Sequence, residues 1–65
     1  MTPVLTTKQQ AICDLLTHGF TSKEIGRQLG LSPRTIEDHR RKIFRKFGVH
    51  GAVGLVRKIF AGAGE

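Results

Sequence analysis

The feature that most constrains this sequence is a sharp break between two amphipathic segments, at residues 30–32. Gly30 ends the first segment, because glycine readily takes the left-handed conformation that closes a helix. Ser32 is an N-cap residue for the second segment, and Pro33 occupies the first helical position, where its missing N–H costs nothing. The pattern predicts two helices joined by a three-residue turn, over residues 22–29 and 33–47.

Capping boxes mark the start of the helix over residues 22–29 and the start of an earlier helix. Thr21 with Glu24, and Thr6 with Gln9, have the spacing at which side chains satisfy the free N–H groups of a first turn. Gly19 is the expected end of the earlier helix, which is predicted over residues 7–18.

A fourth helix is predicted over residues 52–61 from apolar periodicity. Gly51 and Gly54 weaken it, since each costs about 1 kcal/mol relative to alanine inside a helix. No segment alternates as a strand does, so the 65 residues are predicted to form one all-α domain with its core in residues 5–60. The tail, residues 61–65, is expected to be frayed.

Glycine spacing around the break points to a specific motif. Gly26 is a small residue in mid-helix, four positions before Gly30, where two closely crossing helices need one. The spacing predicts a helix-turn-helix unit, and a generic hairpin in a small helical bundle is the alternative. Phe20 is expected to fold back onto the core.

The charge suggests a polyanionic partner. The net charge is +6, and six of the eleven Lys and Arg residues lie between positions 34 and 46. A merely solvated helix face explains this charge about as well as nucleic acid does. An anionic membrane surface is disfavoured, because no broad apolar face opposes the basic one.

In a helix-turn-helix, the second helix enters the DNA major groove. Projection at 100° per residue turns Ile36, Ile43 and Phe47 inward. The outward face then carries the candidates for base reading: an arginine that suits guanine and two acids that suit cytosine. These are Arg41, Glu37 and Asp38. The alternative role of the two acids is electrostatic: they interact with the positive N-terminal end of the helix, or they pair with cations one turn further along.

Phosphate contacts are expected from the other cations and from the start of the helix over residues 22–29, whose N–H groups favour an anion. The candidates are Thr21, Ser22, Lys23, Arg34, Thr35, Arg40, Lys42, Arg45 and Lys46.

Other chemistry is not indicated. His18, His39 and His50 lack metal-ligand spacing, and His39 is expected to pack at the edge of the core and donate one hydrogen bond. Cys13, the single cysteine, is expected to be a packing residue in a reducing compartment. No nucleophile–base pair or phosphate-binding loop appears, so we expect neither an enzyme nor a cofactor, metal or small-molecule ligand.

Several segments of the chain match one known pattern as an ensemble. They are Leu5-Thr6 with Lys8, residues 19–25 (GFTSKEI), residues 29–40 (LGLSPRTIEDHR), and Ile43, Lys46, Phe47, Gly48 and Val49. Together they resemble the LuxR-type helix-turn-helix family, which includes the effector domains of FixJ/NarL-type response regulators.

The resemblance implies a four-helix domain that regulates bacterial transcription, often as a dimer on inverted repeats. By position, Glu37, Asp38 and Arg41 fall in base-reading slots, and Lys23 and Thr35 in backbone-contacting slots. The implied dimer contacts lie in the fourth helix and are Val53, Val56, Arg57 and Phe60. Ordinary core and surface roles are the alternative for these residues.

The chain also departs from the family pattern. Gln9 and Ala11 stand where acids are common, and Lys42 replaces a frequent asparagine. Gly51 and Gly54 replace usual helix formers, which bears on the stability of the fourth helix.

The leading hypothesis is a sequence-specific double-stranded-DNA-binding domain in the bacterial cytoplasm, associated with the nucleoid. RNA polymerase is a further possible partner. The alternative is a protein-interaction module that docks a polymerase or sigma-like subunit or an acidic partner. RNA binding has less support, because the four phenylalanines fall in core or cap positions.

Overall fold

The computed structural model describes residues 3–63, and this part of the chain contains helices and no strand. The helices are α1 (Thr7–Thr17), α2 (Ser22–Leu29), α3 (Pro33–Phe47) and α4 (Ala52–Ala63). The predicted all-α class is confirmed, with α2 and α3 at the predicted bounds. Helix α1 ends one residue earlier than predicted, and α4 continues two residues further, into the segment expected to fray. The last two residues of that tail lie outside the described part. None of the four helices is long and apolar enough to cross a membrane.

The predicted caps are formed at the starts of the first three helices. The Thr6 hydroxyl accepts a hydrogen bond from the Gln9 N–H at 3.1 Å, and the Gln9 side chain accepts one from the Thr6 N–H at 3.1 Å. Thr21 and Glu24 make the same reciprocal pair. At α3, the Ser32 hydroxyl accepts from a first-turn N–H. Each cap satisfies N–H groups that a helix leaves without partners.

All four helices contribute to one core. Ile36, Ile43 and Phe47 point inward from α3 as predicted, and Leu55 brings α4 against the same cluster. The remaining buried apolar residues are Ile12, Cys13, Leu16 and Ile25.

Phe20 does not fold back onto the core, so that prediction is wrong. Its side chain is 36% exposed. Gly19 takes a positive φ of 90°, and the Phe20 N–H donates to the Leu15 carbonyl at 3.1 Å. The backbone of Phe20 therefore closes the end of α1 while the ring stays at the surface.

The turn between α2 and α3 is locked by close backbone contact. Gly30 has a φ of +70°, and the Leu31 N–H donates to the Gly26 carbonyl at 2.9 Å. A β-carbon on Gly26 would collide with the Leu31 carbonyl oxygen. The expectation of a small residue at this crossing is confirmed.

The two glycines predicted to weaken α4 have different positions. Gly51 precedes the helix, and its carbonyl accepts from the Leu55 N–H at 3.0 Å, so it carries no interior helix cost. Gly54 is interior, and a β-carbon there would lie 3.2 Å from Val49 Cβ. Gly54 thus lets α4 approach the segment that follows α3.

We predict that Gly26→Ala lowers the free energy of unfolding by about 1–3 kcal/mol, because overpacking forces the backbone of the turn to shift. Urea denaturation followed by circular dichroism measures this difference. Gln28→Ala is the matched control, since Gln28 is exposed on the same helix and its change should stay within about 0.5 kcal/mol. Equal stability of the two variants would contradict the close crossing.

Candidate nucleic-acid interface

The outward face of α3 is polar and charged, as its periodicity predicts. Arg34, Glu37, Asp38, Arg41 and Arg45 are all exposed, while the opposite face is buried in the core. Helix α3 therefore presents one continuous face of side chains to solvent, held at a fixed angle by the α2–α3 turn.

The central pair of this face is loosely joined. Arg41 Nη1 lies 3.9 Å from Asp38 Oδ1, and the two side chains are 73% and 53% exposed. An exposed ion pair of this kind contributes about 0–1 kcal/mol. Both groups are thus available to exchange this contact for one with a ligand.

Arg40 is held differently from the exposed arginines. Its Nη1 donates to the Ser22 hydroxyl at 2.7 Å, and its Cζ lies 5.5 Å from the centroid of the Phe44 ring. Arg40 is half-buried and Ser22 is only 8% exposed. The sequence predicted Arg40 and Ser22 as separate phosphate contacts, and the fold brings them together.

The start of α2 lies at this contact. The Thr21 N–H donates to the Glu24 carboxylate at 2.9 Å. Hydrogen bonds with the Thr21 backbone and, second, with the Thr21 side chain hold the pKa of Glu24 below its ordinary value. By helix geometry, the N–H groups of Ser22 and Lys23 are left for an acceptor outside the helix. The Lys23 side chain is exposed beside them.

Two other phosphate candidates on α3, Thr35 and Lys42, differ in how exposed their side chains are. Thr35 is half-buried, and its hydroxyl lies 2.9 Å from that of Ser32, so it belongs to the helix cap. Lys42 is exposed.

Lys46 has partners within the chain that the sequence did not reveal. Its ammonium group donates to the Val4 carbonyl at 3.0 Å and to Gln9 Oε1 at 2.7 Å. Gln9 is 6% exposed, and its side-chain oxygen accepts from Lys46 as well as from the Thr6 N–H. Lys46 thus fastens the segment before α1 to the last turn of α3. It is also exposed, so its predicted phosphate contact stays a prediction.

His39 and Cys13 have no visible site chemistry. His39 is half-buried as expected, but nothing in residues 3–63 hydrogen-bonds its Nδ1. Cys13 is buried, and burial, followed by the nearby Asp14 charge, raises the pKa of its thiol. Within the described range, no three His, Cys, Asp or Glu side chains are grouped to hold a metal.

The predicted dimer residues of α4 differ in exposure. Val53 and Phe60 are 73% and 63% exposed, Arg57 is exposed, and Val56 is half-buried. Val53, Val56 and Arg57 also line an open, mainly apolar groove of about 340 Å³. Its other walls are Leu16, Thr17, Gly19 and Ala52.

A tight α2–α3 turn, with a charged outward face on its second helix, defines the protein as a helix-turn-helix DNA-binding domain. The chain belongs to the LuxR family of bacterial regulatory proteins, whose sequence model matches residues 3–59.

Curated relatives are regulators of the same kind. The transcriptional regulatory protein UhpA of Escherichia coli K12 is 40% identical over 58 residues, which cover 89% of this chain and 30% of UhpA. The response regulator UvrY of the same organism is 37% identical, with 78% of this chain and 23% of UvrY covered. The transcriptional regulatory protein MctR of Rhizobium johnstonii is 36% identical, with coverage of 82% and 25%. The chain thus spans less than a third of each of these relatives.

We predict that Lys46→Met lowers the free energy of unfolding by about 1 kcal/mol, because a charged donor to a buried oxygen is lost. Thermal and urea unfolding followed by circular dichroism measure the change. Lys42→Met, an exposed site on the same helix, should stay within about 0.5 kcal/mol of the wild type. If both variants unfold alike, the Lys46 contacts do not stabilise the fold.

Proposed function

We propose that this chain is the sequence-specific, double-stranded-DNA-binding effector domain of a bacterial transcription regulator, with α3 lying in the major groove. The observation that carries the proposal is the charged outward face of α3, fixed against α2 by the crossing at Gly26. A major groove is wide enough to admit such a helix. This role is binding without catalysis, and it needs no cofactor, metal or small-molecule ligand in this domain.

Base reading is assigned to the middle of that face. Arg41 suits guanine, whose O6 and N7 accept two hydrogen bonds from one guanidinium. Glu37 and Asp38 suit cytosine, whose N4 amino group donates. The loose Asp38–Arg41 pair supports this assignment, because little energy is lost when the two groups turn to bases.

Backbone phosphates are assigned to two surfaces beside α3. The start of α2 offers free N–H groups and a positive helix end. The exposed cations of α3 offer charge without sequence readout. The proposed contacts are Thr21, Ser22, Lys23, Arg34, Thr35, Arg40, Lys42, Arg45 and Lys46.

Dimerisation is assigned to α4. Val53 and Phe60 are large apolar side chains that are exposed to solvent in the single chain, and Arg57 lies on the same helix. Pairing two copies through these residues and Val56 would bury them and present two α3 helices to an inverted repeat.

The cellular setting follows from the relatives. We infer a response-regulator or two-component context in the bacterial cytoplasm, at the nucleoid, with RNA polymerase as a further partner.

A protein-docking module is the rival. Specific DNA binding should persist near physiological salt, whereas generic charge attraction falls by orders of magnitude.

Arg41→Ala is expected to weaken binding to a selected duplex by about 1–3 kcal/mol and to relax one base position. Selection from a random duplex pool supplies the site, and fluorescence anisotropy measures the affinity. Lys58→Ala, which removes one exposed charge from α4, is the control and should leave base preference unchanged. Identical base preferences for the wild type and Arg41→Ala would remove Arg41 from the reading surface.

Val53→Asp is expected to abolish cooperative binding to a duplex with two half-sites. Single half-site affinity should stay within about threefold, since one added charge outside the proposed DNA contacts is largely screened by salt. Gel-shift titration and sedimentation velocity measure this. Val4→Asp is the matched control, because Val4 is 88% exposed and lies outside α4. Equal cooperativity in both variants would place the dimer contact elsewhere.

A further inference from the structure

We propose that Phe44 is a positioning residue for DNA binding, which holds the Arg40 guanidinium in one orientation before a backbone phosphate arrives. The inference rests on the proposed function, and it assigns a role to a side chain that does not itself contact DNA. Phe44 acts through Arg40, together with the hydroxyl of Ser22.

Two restraints from different parts of the fold meet at one guanidinium. Ser22, at the start of α2, accepts from Arg40 Nη1 at 2.7 Å. Phe44, one turn further along α3, presents its ring 5.5 Å from Arg40 Cζ, within the range of a cation–π contact. A hydrogen bond fixes one end of the planar group, and the ring limits its tilt.

This restraint matters because a free arginine loses much rotamer freedom on binding. Arg34, Arg41 and Arg45 are exposed and must lose that freedom when they meet DNA. Arg40 is half-buried and already has contacts with Ser22 and Phe44 in the free protein. A guanidinium has five N–H donors, and the Ser22 bond uses one of them. The other donors remain for a phosphate beside the start of α2.

Phe44 is well placed for this role because its ring also packs against the core. The core contact holds the ring still, so the ring is a fixed surface for the cation. Leucine at this position would keep an apolar core contact and remove the aromatic face. Tyrosine would keep the face, which gives a matched pair of variants.

The experiment compares Phe44→Leu, Phe44→Tyr, Arg40→Met and the Phe44→Leu/Arg40→Met double variant, with thermal unfolding to confirm that each is folded. Affinity for a selected duplex is measured by fluorescence anisotropy over a range of salt concentrations. Phe44→Leu should weaken binding about 2–5-fold. Its salt dependence should match the wild type, because no charge is lost. Phe44→Tyr should bind like the wild type.

Arg40→Met should lower the slope of log affinity against log salt by about 1, as expected for one lost phosphate contact. In the Arg40→Met background, Phe44→Leu should then have no further effect. An equal loss in both backgrounds would show that Phe44 acts through the fold and would overturn the proposal. Wild-type affinity of Phe44→Leu would overturn it as well.

Nuclear magnetic resonance of the free protein separates this proposal from the proposed function. The Arg40 Nε–Hε group should be ordered in the wild type and in Phe44→Tyr, and more mobile in Phe44→Leu. Unchanged mobility would contradict positioning by Phe44. Failure of the wild type to bind any duplex specifically would contradict the proposed function, while the spectra would still decide whether Phe44 orders the guanidinium.

Discussion

The close approach of α2 to the turn before α3 is the constraint on which the rest of the domain depends. Gly26 leaves no room for a β-carbon against the Leu31 carbonyl, and the Leu31 N–H returns a hydrogen bond to the Gly26 carbonyl. This backbone contact restrains the angle between the two helices, together with the core packing of Ile25 and Ile36. The core can then bury one face of α3, through Ile36 and Ile43, and leave the opposite face in water.

The cations around α3 fall into three groups that net charge alone does not distinguish. Arg41 and its neighbours on the outward face are exposed and free to adapt. Arg40 contacts the Ser22 hydroxyl and the Phe44 ring. Lys46 is used internally, by a buried amide oxygen and a backbone carbonyl. A basic helix of this kind therefore combines freely exposed cations with cations that also bond within the chain.

Local signals made most of the fold predictable. Caps, glycine stops and the α3 stripe each involve residues a few positions apart, so the bounds of α2 and α3 could be read directly from the sequence. The Arg40–Ser22 and Lys46–Gln9 contacts join residues 18 and 37 positions apart, and no short pattern encodes them. Phe20 was misassigned for a related reason, because an apolar residue beside a helix stop can close the backbone while its ring stays outside the core.

The bond from Lys46 to Val4 also governs how this domain tolerates attachments. The polypeptide entering α1 is held at the last turn of α3, so a tag or domain joined ahead of residue 3 starts its path beside that turn. A short, stiff connection there would hold the attached body close to the last turn of α3. A flexible glycine–serine spacer would let it move away, because such a linker behaves as a random coil.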